Sequence, residues 1–154
     1  EAMEVVREIR DVRDRDQTLA ALVSPLANLG RVEEALEVAR GIGDEWKRAN
    51  ALAGLVPRLA DLGRVEEALE VARGIGDESH RAQALAALAP KLAKLNRGKL
   101  LPLWEETLRF SSTHSRADLL ADLDALAPII AALGGAEAIC ESCRAIQDVG
   151  RWWP

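Results

Sequence analysis

The stretch LGRVEEALEVARGIGDE spans residues 29–45 and recurs without a change at residues 62–78. When the chain is aligned on itself at a period of 33, residues 29–61 and 62–94 agree at 26 of 33 positions. Residues 1–28 continue the same register as a repeat whose first part is missing, and the pattern weakens after Leu95. Self-similarity at such a period is typical of repeat proteins, whose terminal units are usually atypical. The sequence therefore predicts one continuous array, with near-identical repeats over residues 1–95 and a divergent C-terminal repeat and capping helix over residues 96–154.

Each repeat has the pattern of two helices joined by short turns. The shorter segment carries one apolar helical stripe, formed by Val32, Ala35, Leu36, Ala39 and Ile42. Gly41 and Gly43 are expected to end this helix in conformations that other residues resist. The longer segment, with Asp44 or Asp77 as its N-cap, has a stripe formed by Ala49, Leu52, Leu55, Val56, Leu59 and Leu62. No alternating run of apolar and polar residues predicts a strand, so the expected fold is all-α and built from αα-hairpins.

A proline recurs within the longer segment. These prolines are Pro25, Pro57, Pro90 and Pro128. An interior proline removes one hydrogen bond and clashes with the preceding turn, at a cost of about 3 kcal/mol or more. The recurrence favours a bend that lets each helix curve over its neighbour. The alternative is that the carbonyl four residues earlier is left free to accept a ligand donor. Those carbonyls belong to Ala53, Ala86 and Asp124.

A helical hairpin of this length with LGRVEEAL at its hinge resembles a tetratricopeptide repeat, a unit of about 34 residues. The matching residues are the inter-helix glycine, the early alanine of the second helix and the packing leucine of the first: Gly30, Gly63, Ala35, Ala68, Leu22, Leu55 and Leu88. The chain departs from that family in having no tyrosine, no closing proline and no first glycine. HEAT repeats are the second resemblance, because their first helix often contains a proline in a context like LAPKL. The resemblance implies hairpins stacked as a right-handed solenoid, whose first helices line a concave face that binds peptides or proteins.

Composition and charge disfavour several classes of partner. The chain has 20 Lys and Arg against 25 Asp and Glu, a formal net charge of -5, which disfavours nucleic acid and anionic membranes. The longest apolar run, residues 125–136, is too short to span a bilayer as a helix. Two cysteines are too few for a disulfide framework. A cytoplasmic location is therefore expected.

The two best copies differ at seven positions, all of them in the longer segment. The pairs are Trp46/Ser79, Lys47/His80, Asn50/Gln83, Gly54/Ala87, Val56/Ala89, Arg58/Lys91 and Asp61/Lys94. Five of these positions are spaced by four, four, four and three residues, along one face of a helix. Drift at unconstrained surface positions and tuning of a binding face both account for this stripe. On the second interpretation the ligand-binding residues are Gln17, Asn28, Trp46, Asn50, Arg58, Asp61, Gln83, Lys91 and Lys94.

Candidates for catalysis and for metal or cofactor binding are weak. Cys140 and Cys143 have CxxC spacing, but a structural zinc site needs four ligands and the sequence has no second pair. Gly98 and Lys99 lack the rest of a phosphate-binding loop. The SSTHS segment at residues 111–115 is better interpreted as a loop and N-cap than as a nucleophile with its base. We therefore expect no enzyme activity, no cofactor and no metal.

Three functional classes remain. The first is a scaffold module of a larger protein that binds a protein or peptide segment. The second is a sensor or regulatory segment of a signalling ATPase, since such repeats often follow nucleotide-switch domains. The third is an enzyme, which a pocket bringing Cys140 or His114 beside a carboxylate would favour.

The N-terminal edge is the expected place of self-association. Residues 1–10 are predicted to form a shorter helix without a longer one before it. Val5, Val6 and Ile9 would then leave apolar surface that a preceding repeat normally buries.

The repeat interpretation is tested by spectroscopy and by deletion. Circular dichroism is expected to show high helicity and no sheet, and a structure is expected to show about nine helices in antiparallel pairs, stacked in sequence order. Because each repeat contacts only its neighbours, deletion of residues 62–94 in register is expected to leave a shorter protein that unfolds cooperatively in urea. Deletion of half that length breaks the register and is expected to abolish cooperative unfolding. A well-folded half-deletion variant would contradict the repeat interpretation.

Overall fold

The computed structural model describes residues 12–152, and this part of the chain forms eight helices and no strand. The helices are α1 (Val12–Asn28), α2 (Val32–Arg40), α3 (Glu45–Asp61), α4 (Val65–Arg73), α5 (Glu78–Leu92), α6 (Arg97–Ser111), α7 (Arg116–Ala125) and α8 (Ala127–Trp152). The predicted all-α fold is thus confirmed. The helix predicted at residues 1–10, with the apolar edge at Val5, Val6 and Ile9, lies outside the described residues. The chain divides into two compact units, the first ending at Leu88 and the second beginning at Ala89.

In the first unit, α1 packs against α2 and α3, α2 packs against α3, and α3 packs against α4. The predicted stripe of the shorter helix is buried, with no member more than 4% exposed: Val32, Ala35, Leu36, Ala39 and Ile42. Glu33, Glu34, Glu37 and Arg40, which lie off the stripe, are exposed. The stripe of α3 is buried from Ala49 to Leu59, but Leu62 is 58% exposed. The prediction for Leu62 is wrong because this residue is the C-cap of α3 and lies beyond its last turn.

Gly30 and Gly63 make the tight turn between the longer and the shorter helix. Their φ angles are 76° and 79°, in the left-handed region that favours glycine. The N–H of Gly30 donates to the carbonyl of Ala27, and the N–H of Arg31 donates to the carbonyl of Leu26. Gly63 and the residue after it repeat this arrangement. The glycine of LGR is therefore required after α1 and after α3, where it forms part of a Schellman motif.

The GIG loop ends the shorter helix for a different reason from the one predicted. Gly41 has φ −76° and ψ −8°, which any residue adopts, so the expected special conformation is wrong. Among residues 12–152 only Gly30, Gly63 and Gly135 have positive φ, which excludes Gly43 as well. Gly43 instead provides space, because a Cβ there would lie 3.1 Å from Oδ2 of Asp16. At Gly76, its counterpart in the second copy, a Cβ would lie 2.9 Å from Oε1 of Glu45.

Asp16 of α1 is a buried carboxylate, 3% exposed, that holds the loop before α3. Its Oδ1 accepts from the N–H of Gly43 at 3.1 Å, and its Oδ2 accepts from the N–H of Asp44 at 2.7 Å. Asp44 in turn accepts from the N–H of Lys47 at 2.9 Å, which confirms it as the N-cap of α3. The bond from Gly43, then that from Asp44 and the charges of Arg15 and Lys47, lower the pKa of Asp16 against the opposing effect of burial.

Two arginines contact backbone carbonyl groups in the GIG loops of the two copies. Nη1 of Arg48 donates to the carbonyl of Ile42 at 3.1 Å, and Nη1 of Arg81 lies 3.5 Å from the carbonyl of Ile75. Arg48 and Arg81 occupy equivalent positions in α3 and α5. The two GIG loops are therefore held in the same way by the helix that follows each of them.

The glutamates of the shorter helices form ion pairs with the turn arginines. Arg31 pairs with Glu34, and Arg64 pairs with Glu67 at the equivalent position. Arg64 also pairs with Glu33 of the preceding shorter helix. Exposed pairs of this kind add little to stability, because water screens their charges. Part of the identity between the two copies thus has a structural cause, because these side chains contact one another.

In the second unit, α6 and α7 begin with side-chain caps. Asn96 accepts from the N–H of Lys99 at 3.0 Å. Ser115 and Asp118 form a capping box at the start of α7, as predicted for Ser115. Ser111 is not part of the predicted loop: it belongs to α6, and its buried Oγ donates to Oδ2 of buried Asp122 at 2.7 Å.

Three of the four recurring prolines, Pro25, Pro57 and Pro90, lie inside helices as predicted. Pro128 does not, because α7 ends at Ala125 and a new helix begins at Ala127. It lies in the first turn of α8, where a missing N–H costs no intrahelical bond. The Asp124 carbonyl accepts a hydrogen bond at the C-terminus of α7, so it is not a free acceptor for a ligand.

Among residues 12–152, no single helix has the length and apolar content needed to cross a membrane. Residues 116–151 pass that test only when α7 and α8 are joined across a bend of 74°.

Asp16→Asn tests the contribution of the buried carboxylate. The variant is expected to lose about 1 to 3 kcal/mol of unfolding free energy at neutral pH, because two N–H groups lose a charged acceptor. The pKa of Asp16 is lower in the folded than in the unfolded chain, so its stabilisation is present above the unfolded value and disappears as pH falls through the folded value. The free energy of unfolding, measured in urea between acid and neutral pH, is therefore expected to depend less on pH in Asp16→Asn than in the unchanged chain. The matched control Asp124→Asn, at an exposed position of α7, is expected to change neither quantity. Equal effects of the two substitutions would contradict the assignment.

Candidate functional site

A groove of about 470 Å³ runs between α1 and α3. The helix α1 contributes Gln17, Ala20, Val23, Ser24, Ala27 and Asn28, and α3 contributes Trp46, Lys47, Asn50, Ala51, Gly54, Leu55 and Arg58. On both helices these residues recur at intervals of three or four, so each helix presents one continuous face. Alanines and Gly54 leave room between the helices, while Val23 and Leu55 are buried beneath. The groove therefore follows from small residues placed on facing stripes.

The rim of the groove is polar and its charge is positive. It carries three amide side chains, one hydroxyl, one indole, the ammonium group of Lys47 and the guanidinium group of Arg58, and no carboxylate. Nη2 of Arg58 donates to Oδ1 of Asn28 at 2.7 Å, which connects α3 to α1 at one end of the groove. Amides donate and accept at once, so they can pair with the backbone of an extended chain. The lining thus contributes two positive charges on a protein of formal net charge -5.

Trp46 is the aromatic member of the lining and is 61% exposed. Its ring centroid lies 5.5 Å from that of His80, at an interplanar angle of 86°. His80 is hydrogen-bonded to Asp77 through two atoms. Its backbone N–H lies 3.0 Å from Oδ1 of Asp77, and its Nδ1 lies 2.6 Å from the same oxygen. These bonds, that from the backbone N–H first, hold the pKa of Asp77 below its usual value.

The groove brings together five of the nine residues predicted to bind a ligand: Gln17, Asn28, Trp46, Asn50 and Arg58. The other four do not line it. Asp61 is exposed at the last position of α3, beyond the groove end marked by Arg58. Gln83 is exposed on α5, Lys91 is half-buried near the end of α5, and Lys94 is exposed after it. Sequence spacing placed Asp61 on the same face of α3, and the repeat register placed Gln83, Lys91 and Lys94 at the equivalent positions of the next copy, but neither pattern shows how far the groove extends.

Sequence reasoning missed Ser24 and Lys47 as lining residues. A signal for Lys47 was present, because it is one of the seven positions at which the two copies differ. Five of those seven positions line the groove in the first copy: Trp46, Lys47, Asn50, Gly54 and Arg58. Outside the groove only Val56 and Asp61 differ between the copies. The divergence of the repeats is thus concentrated at one surface.

The groups considered for catalysis are not assembled into a site. Cys140 and Cys143 are free thiols and both are exposed. Nδ1 of His114 lies 3.1 Å from the carbonyl of Phe110, whose ring it also contacts. Within residues 12–152 no three His, Cys, Asp or Glu side chains are placed to hold one metal ion.

A second groove, of about 210 Å³, lies between α7 and α8 in the second unit. Its lining is largely apolar, with Leu119, Leu120, Leu123, Ile146 and Val149 among its members. It offers no row of amides, so the groove between α1 and α3 is the candidate site.

No protein-family model, curated protein or solved structure matches this chain. The functional assignment therefore depends on the groove itself.

Gly54→Ala tests whether the groove is open, because the added methyl group contacts no other part of the fold. No atom lies within 4 Å of a Cβ at Gly54, and the second copy carries alanine at the equivalent position. In a helix interior this change is expected to stabilise the protein by about 0.5 to 1 kcal/mol, while the methyl group narrows the groove. Gly63→Ala is the matched comparison: space is also free there, but its φ of 79° makes a loss of about 1 to 2 kcal/mol the expected result. Urea unfolding midpoints distinguish them, and a destabilised Gly54→Ala would contradict the open groove.

Proposed function

We propose that this chain is a non-catalytic module that binds a protein or peptide segment in the groove between α1 and α3. One observation carries the proposal: two repeats identical at 26 of 33 positions differ mainly where the first of them lines this groove. Uniform drift would also change the exposed glutamates of α2 and α4. Glu37 and Glu70 are exposed, and yet the two helices are identical.

The groove chemistry favours an extended segment that carries carboxylates. Gln17 and Asn50 lie on opposite walls and supply donors and acceptors for a peptide backbone. Lys47 and Arg58 supply the positive charge, and no lining residue opposes it. Trp46 is the kind of side chain that dominates interface energetics, because it buries a large rigid surface. The ligand is therefore a short acidic stretch with at least one apolar side chain to contact the indole.

The architecture that we propose for this module is a right-handed solenoid of 33-residue hairpins, similar to tetratricopeptide repeats. The identical helices α2 and α4 and the two Schellman turns support it. In such an array the longer helices line one face, and successive repeats offer similar but not identical side chains. A cytoplasmic module of a larger protein fits this reading.

A peptide selection followed by calorimetry tests the function. The chain is immobilised, a random peptide library is displayed on phage, and one selected peptide is titrated into each purified variant. Asn50→Ala and Arg58→Ala are expected to weaken binding by about fivefold or more, the loss of one hydrogen bond or more. Asn50→Ala, Asp61→Ala and Lys94→Ala are expected to change stability by less than about 0.5 kcal/mol, as exposed substitutions do. The last two report whether the site extends past the groove.

The control is Glu37→Ala on α2, which is exposed and outside the groove. It is expected to leave the peptide affinity unchanged. Raising the salt concentration is expected to weaken binding, because the groove charge is screened. If Glu37→Ala abolished binding while Asn50→Ala and Arg58→Ala did not, the groove would not be the binding site.

A further inference from the structure

Trp46 needs a support to act as a fixed part of the groove wall. It lies in the first turn of α3 and is 61% exposed, so its own helix does not enclose it. The ring contact it makes is the one with His80 of α5, at a centroid distance of 5.5 Å and an angle of 86°. Edge-to-face geometry at this distance is a preferred arrangement of aromatic rings.

The side chain of His80 is held in one position, which it must be if it is to support Trp46. Its side chain is 12% exposed, and Oδ1 of Asp77 contacts both its backbone N–H and its Nδ1. The backbone contact is an N-cap interaction at the start of α5, so the imidazole is held to the end of a helix. His80 is therefore anchored at its backbone N–H and at one nitrogen of the ring that faces Trp46.

The contact joins two residues that have no counterpart in the other copy. The second copy has Ser79 where the first has Trp46, and the first has Lys47 where the second has His80. Two of the seven differences between the copies therefore lie in one inter-helix contact. The same contact does not recur elsewhere in the near-identical repeats, because neither ring is present at the equivalent positions.

We propose that His80 is the positioning residue for Trp46: it holds the indole in place on the groove wall, so that the aromatic surface is formed before a ligand arrives. This role adds to the proposed binding function and has a purpose only if the groove binds a ligand. The contact between His80 and the indole can nevertheless be measured without any ligand. His80 contributes by orienting Trp46 and does not line the groove itself.

The first measurement is acrylamide quenching of Trp46 fluorescence. The other tryptophans are replaced in the variant Trp104→Phe, Trp152→Phe, Trp153→Phe, so that Trp46 is the single emitter. An aromatic edge contact shifts the ratio of held to free side-chain conformers by about two- to tenfold. His80→Ala is expected to raise the quenching constant and the amplitude of the fast anisotropy decay, and His80→Phe is expected to restore both in part, because it keeps the ring contact but loses the bond from Nδ1 to Asp77.

The control is His114→Ala, which removes the other histidine and is expected to leave Trp46 emission unchanged. If the triple variant does not fold, 5-fluorotryptophan is incorporated into the otherwise unchanged chain and the ¹⁹F resonance of Trp46 is assigned with Trp46→Phe. An unchanged quenching constant or resonance in His80→Ala would overturn the positioning role, whatever the peptide experiment gives.

The second measurement is the affinity of the selected peptide. His80→Ala is expected to weaken it by about two- to tenfold, with partial recovery in His80→Phe. If Asn50→Ala weakened binding and His80→Ala did not, the positioning role would be wrong and the proposed function would stand. If the quenching changed as expected while no groove variant altered the peptide affinity, the proposed function would fail and the ring contact would stand.

Discussion

The buried carboxylate of Asp16 is the interaction that joins α1 to the loop before α3, and so connects the two walls of the groove. It binds the N–H groups of Gly43 and Asp44, and Asp44 then caps α3 through Lys47. One side chain of α1 thus holds the loop that leads into α3. Because the groove lies between these two helices, this contact and the apolar packing beneath the groove together hold its two walls. Gln17 is the next residue after Asp16, so the support and the lining are adjacent in the chain.

The shorter and the longer helices of the repeats have different roles. The shorter helices α2 and α4 bury one stripe and pair their outer glutamates with turn arginines, among them Glu33 with Arg64. Most changes there remove a packing or ionic contact. The longer helix α3 presents small and polar residues to a groove that folding does not need. Variation is therefore tolerated at that face, which is the condition for specificity to diverge between repeats that share one fold.

Much of the fold follows from local rules that a sequence displays. Helical spacing predicted the buried stripes, and Asp44 was recognisable as an N-cap because its type and position agree. The errors have physical causes. Pro128 matched the recurring prolines in spacing, but a helix is free to start just before a proline, and here one does. Gly41 looked like a left-handed stop, whereas its neighbour Gly43 is needed for the approach of a residue 27 positions away.

The candidate site was predictable in part for the same reason. The stripe from Trp46 to Arg58 is a property of one helix, so spacing reveals it. The extent of the groove depends on a second helix, and the contact between Trp46 and His80 depends on a third. Asp16 is a signal in the sequence that was overlooked. The equivalent positions of the next two copies are alanines, Ala49 and Ala82. A charged residue in a stripe that is otherwise apolar indicates a buried partner.

The identity of α2 and α4 has a consequence for how the chain reaches its native state. Because their sequences are identical, α2 and α4 carry no side-chain difference that directs either of them to its own longer helix during folding. The two GIG loops do not distinguish the alternatives by their own sequence. Their acidic neighbours do, because Asp16 approaches Gly43 from the second turn of its helix and Glu45 approaches Gly76 from the first residue of its own. The native order of the repeats therefore depends on the longer helices, whose sequences and acidic side chains differ.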